Sequence, residues 1–163
     1  MTPGTVIRTG VGLPEVLARL GIIDGAQVTV GLQGTASTTA PGPAKAADLV
    51  TIGAAHEYGT DSIPMRPWLR TSALRYGKGW SKAWRTAVVA ALQGTPTDVP
   101  LRLVGLGMQG DVQATILDGP WFPLSPETIE RKGSDVPLVD TGQMRQSIRA
   151  QIERAGSPPT VVA

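Results

Sequence analysis

Apolar and polar residues alternate strictly from Gln27 to Leu32. Val28, Val30 and Leu32 share one side and Gln27, Thr29 and Gly31 the other, which predicts a half-buried strand. Ile148, Ala150 and Ile152 alternate in the same way with Arg149, Gln151 and Glu153. A helical reading through Met144, Ile148 and Ile152 competes there; a short helix followed by a strand is preferred. Elsewhere the period changes to that of a helix. Leu13, Val16, Leu17 and Leu20 fall at i, i+3, i+4 and i+7, between Pro14 and Gly21, and predict a helix packed on the core. Ala46 to Glu57 predicts a second helix, stopping near Gly59. Residues 60–67 carry two prolines and must be extended. A long helix from Pro67 to Leu92 follows, with Trp80, Trp84, Val88, Ala91 and Leu92 on one stripe and Gly77 and Gly79 as weak points. Leu101 to Leu117 predicts another long helix. Ser125 is placed to cap a short helix, and Asp140 or Thr141 to cap one more that runs through Ser147.

These elements define one domain of α+β class: a small antiparallel β-sheet packed against two long α-helices, with a long flexible loop at residues 34–45. Residues 1–12 read as an extended arm, and residues 155–163 as a C-terminal tail that can end in one more short strand.

Composition narrows the chemistry. The 163 residues are 41% hydrophobic and 17% charged, a globular balance, with one Phe, two Tyr and four Trp. A core of Ala, Val, Leu and Ile is small, and oligomerisation would supplement it. No cysteine is present, which removes disulfides and thiolate metal sites. Residues 1–12 lack a basic start followed by an apolar run, and no apolar stretch reaches the roughly 18 residues needed to span a bilayer. The expectation is a soluble protein made in the cytoplasm.

Three strings imitate catalytic motifs. Gly105, Gly107 and Gly110 match GxGxxG, but the surrounding chain shows no alternation of strands and helices. Glycines that let helices pack closely explain them better. Asp140-Thr141-Gly142 matches the core of the aspartic protease signature, yet Gln143 and a polar, partly helical segment follow where a protease needs an apolar strand. His56-Glu57 begins a zinc-like motif that Thr60 breaks, and His56 is the only histidine. No catalytic residue, cofactor or metal ligand is assigned.

Two blocks carry a resemblance. The first is Ala54-Ala-His-Glu-Tyr-Gly-Thr60 with Ile63-Pro-Met-Arg-Pro-Trp-Leu69. The second is Gly110-Asp-Val-Gln113, Asp118-Gly-Pro, Pro123-Leu-Ser-Pro-Glu-Thr-Ile129, Arg131-Lys-Gly133, Pro137-Leu-Val-Asp-Thr-Gly-Gln-Met144 and Ser147-Ile148. In order and spacing they resemble the neck and tail-completion (head–tail joining) proteins of tailed bacteriophages, over about residues 46–153. Tyr58, Met65, Trp68 and Met144 depart from the family pattern but keep apolar bulk.

The resemblance implies a virion protein, not an enzyme, assembled in the host cytoplasm into a ring at the head–tail junction. Its partners would be copies of itself (a hexamer in preference to a dodecamer), a head-side connector, the tail tube protein and DNA in the channel, with no membrane. The motif residues would be architectural: His56, Glu57, Tyr58, Gly59, Ile63, Pro64, Arg66, Pro67, Trp68, Asp111, Pro123, Leu124, Thr128, Lys132, Asp140, Thr141, Gly142 and Ser147. His56 and Glu57 would bond across to the proline-rich segment, and Trp68 and Leu69 would anchor the long helix. The arm, the 34–45 loop and the tail are the expected contacts between subunits.

Charge gives a rival reading. Net charge is +2, but Arg66, Arg70, Arg75, Lys78, Lys82 and Arg85 lie in a stretch with no acid between Asp61 and Asp98. This segment predicts contact with DNA phosphate or an acidic partner. A dimeric aspartic protease using Asp140 is the third reading.

Overall fold

The two alternating segments pair with each other. In the computed structural model, which describes residues 12–32, 49–140, 142–154 and 156–162, β1 (Gln27–Leu32) runs antiparallel to β2 (Ile148–Arg154), with Val28 opposite Ile152 and Val30 opposite Ala150. β3 (Ser157–Val161) adds an antiparallel edge, giving the order β1-β2-β3. Pro158 and Pro159 are tolerated in β3 because an edge strand has one side free of ladder bonds. The competing helical reading of residues 148–152 is thereby settled in favour of a strand.

Six helices complete the described chain: α1 (Leu13–Ile23), α2 (Leu49–Tyr58), α3 (Trp68–Leu92), α4 (Asp98–Asp118), α5 (Pro126–Lys132) and α6 (Gln143–Gln146). The fold is α+β, as the periodicities predict. Helix α4 lies on the sheet, with α3 alongside it. Leu101, Val104, Ala150, Ile152 and Val162 form one buried cluster with Ala87 of α3. Val112, Ile116, Ile148, Met144, Leu138, Leu49 and Trp68 form the other. Each fully buried Leu or Ile contributes about 1.5–3 kcal/mol. Gly105 sits where α4 comes nearest the sheet; a Cβ there would stand 3.1 Å from Ala150 Cβ and 3.2 Å from a Val162 methyl. Close packing is therefore the role of this glycine. The GxGxxG string lies inside a helix, not at a strand-to-helix turn.

Four expectations are corrected. Helix α3 runs unbroken through Gly77 and Gly79; a glycine costs about 1 kcal/mol, and the inward face of the helix, buried at Trp68, Ala87 and Ala91, offsets it. The C-terminal tail does form the additional short strand its sequence allows, but it is packed and not loose: β3 pairs with β2 and Val162 is buried. Helix α1 forms, but Leu13, Leu17 and Leu20 are exposed instead of packed on the core. Neither Asp140 nor a side-chain cap starts α6; Gly142 does, at φ 76°, and the helix ends before Ser147. The arm, the 34–45 loop, residues 46–48 and Thr141 lie outside the described residues.

Candidate functional site

The first resemblance block builds the junction between α2 and α3. Helix α2 stops at Gly59, whose φ of 75° is left-handed and costs glycine little. A Cβ there would meet Met65 N at 3.1 Å. Ile63-Pro64 and Arg66-Pro67 hold the return segment extended, and Arg66 N–H donates to His56 O at 2.7 Å. Helix α3 then begins without a capping side chain of its own. Glu57 supplies the cap from α2. Its carboxylate accepts from Leu69 N at 2.8 Å and Arg70 N at 3.2 Å, and from Arg70 Nε at 2.9 Å. A negative charge against the first amides of a 25-residue helix is favoured by the helix dipole. Glu57 thus bonds past the prolines to the helix they introduce. Trp68 is buried and its indole N–H donates to Gly53 O at 3.0 Å, locking α3 to α2. Tyr58 stays exposed, with the Arg70 guanidinium 5.5 Å from its ring centre.

The second block faces the first across a cleft of about 860 Å³. His56, Ile63, Pro64 and Arg66 line one wall, and Pro123, Leu124, Thr128, Lys132, Asp140 and Gly142 line the other. Ten residues singled out in the sequence therefore meet at one place, although residues 67–122 separate the two groups. Ser125 caps α5 by accepting from Thr128 N, as its position predicts. Lys132 Nζ donates to Val136 O at 3.1 Å. Arg66 is 4% exposed, and its side chain reaches only Phe122 O, at 3.3–3.4 Å, with no carboxylate in ion-pair range among the described residues. His56 Nδ1 is shielded from solvent without a hydrogen-bond partner. Burial first, then the charges of Arg66 and Lys132, hold the His56 pKa below its ordinary value. Burial also lowers that of Lys132, where Asp140 pulls the other way and Arg66 and Arg131 add to the lowering.

Asp111 and Ser147 sit elsewhere. Asp111 accepts from the Trp80 indole at 2.7 Å and ties α4 to α3. Gln113 Nε2 donates to Arg145 O at 3.2 Å and ties α4 to α6. Ser147 closes α6 through its backbone N–H. Asp140 is exposed in a turn that leads into a four-residue helix, so no apolar strand follows it.

The six basic residues do not form one surface. Arg66 is buried, Arg70 pairs with Glu57, and Arg75 pairs with Asp118 at 2.9 Å. Lys78, Lys82 and Arg85 are exposed and without an ion pair among the described residues. At 100° per residue they fall, with Arg75, within about 80° of arc on the outward side of α3. Gly53 escaped the sequence reading, and Arg131, quoted in the second block, was not singled out for the site. Gly53 has a contact signal only in three dimensions: a Cβ there would stand 2.4 Å from a Leu32 methyl.

Among the described residues no group of three potential metal ligands occurs, and no helix is long and apolar enough to cross a membrane. Compared with protein-family profiles, with curated proteins and with solved structures, the chain matches none.

Proposed function

We propose that this chain is a structural subunit of a tailed-phage virion, assembling with copies of itself into a ring at the head–tail junction. The observation that carries the reading is the two-sided apolarity of α4. One face, from Leu101 to Ile116, is covered by the sheet and α3. The opposite side presents Val99, Leu103, Leu106 and Leu117 to solvent. A helix apolar on both sides belongs inside a larger body, and contiguous exposed apolar surface marks an association site. Leu13, Leu17 and Leu20 of α1 add a second open stripe. Identical subunits joined head to tail bury such surfaces by closing a ring. The motif blocks supply the phage-specific part of the reading, and their convergence on one junction agrees with an architectural role. In a ring around DNA, Lys78, Lys82 and Arg85 provide the cationic face that the DNA-binding reading calls for.

Electron microscopy tests both levels. The purified protein should form closed rings, and Leu103→Asp should leave monomers. Phage particles lacking the gene should accumulate as filled heads with separate or malformed tails. Normal virions from that deletion would sink the proposal.

A further inference from the structure

We infer that the cleft between the α2–α3 junction and the α5–α6 segment binds an acidic, otherwise apolar peptide segment, its carboxylate held by Arg66 and Lys132. The inference stands on the cleft itself and holds whether or not the chain sits in a ring. Its volume, about 860 Å³, is within the usual range for ligand pockets. Its walls combine apolar side chains such as Ile52, Leu124 and Leu138 with three cations, Arg66, Arg131 and Lys132.

Among the described residues the only carboxylate lining the cleft is Asp140, so their positive charge exceeds negative by two with His56 neutral. A guanidinium keeps its charge at any ordinary pH. Removing Arg66 from water with one long carbonyl contact is costly unless an anion completes its shell. His56 Nδ1 offers a further unsatisfied polar atom on the same wall. A carboxylate answers the planar fork of an arginine with two parallel bonds. Apolar residues beside that carboxylate would cover the aliphatic walls. A nucleic-acid strand suits the site less well: among the described residues the lining contains no Phe, Tyr or Trp ring for base stacking, and the deepest cation is not on an open groove.

His56, the only histidine, makes its ring proton resonances a single reporter inside the cleft. The full chain is titrated with N-acetyl-leucyl-glutamyl-leucinamide, with its glutaminyl counterpart, and with inorganic phosphate. Saturable movement of the histidine resonance by the glutamyl peptide alone is the expected result. Lys132→Ala should weaken that binding roughly tenfold, the scale of one charge-assisted bond. Asp140→Asn, which removes the opposing charge from an exposed turn, should tighten it severalfold. Arg66→Gln should abolish it; should that variant not fold, the Lys132 and Asp140 pair still decides. Equal binding of the glutaminyl peptide overturns the inference, because the carboxylate is then not recognised. Phosphate saturating at or below the peptide's concentration overturns it as well, since the site would serve a free oxyanion. No movement at millimolar peptide has the same consequence.

Discussion

Helix α3 carries cationic side chains along its first five turns and uses them in opposite ways. At its start, Arg70 is clamped to Glu57, a carboxylate buried beneath the helix N-terminus. Farther along, Lys78, Lys82 and Arg85 stand in solvent without an ionic partner among the described residues. The first arrangement is local and stereospecific: the Glu57 carboxylate satisfies two backbone amides and a guanidinium at once. The second has no fixed geometry and acts at a distance through its field. Charge of one sign on one helix thus holds the fold together in one place and faces outward in the other. The difference lies in whether a desolvated partner sits opposite.

Mutations separate the two regions by size of effect. Trp68→Ala should cost the most, about 3–5 kcal/mol by urea denaturation followed with circular dichroism, because it empties a buried site and removes the indole bond to Gly53 O. A loss below 1 kcal/mol would show that the junction is not a structural hub. Glu57→Ala should follow at about 2–3 kcal/mol, the scale of a lost helix cap with charged hydrogen bonds. Glu57→Gln, which keeps an acceptor for the amides, should lose less; equal losses would remove the capping argument. Replacing Lys78, Lys82 and Arg85 together by serine should change stability least, within about 0.5 kcal/mol per site. A larger loss would mean that these charges serve the fold, erasing the contrast with Arg70.

The same contrast shows what the sequence conveyed. The junction was legible in outline: two prolines, a stopping glycine and an apolar pair at Trp68 and Leu69 state that a helix is entered at a fixed angle. The partner of Glu57 was not, since its bonds skip the prolines and reach Leu69 and Arg70, 12 and 13 residues on. Arg66 looked like the others in the basic series, and only its burial, with its side chain donating to Phe122 O, removed it from the surface. Asp140 looked like a cap, but the left-handed Gly142 starts α6 in its place.

Periodicity alone determined the strand at residues 27–32 and the α+β class, because strand and helix geometry repeat every two and 3.6 residues whatever lies nearby; pairing with β1 was needed to make residues 148–154 a strand, and packing to carry α3 through Gly77 and Gly79. Tertiary structure alone decided which apolar face is covered. Leu13, Leu17 and Leu20 show the same spacing as a core stripe, yet they remain open, while Val112 and Ile116 are sealed. Tertiary structure also brought His56 and Arg66 opposite Lys132 and Asp140 across one cleft. A side chain's period is set by its own backbone, whereas its burial and its electrostatic company are set by residues far away in the chain.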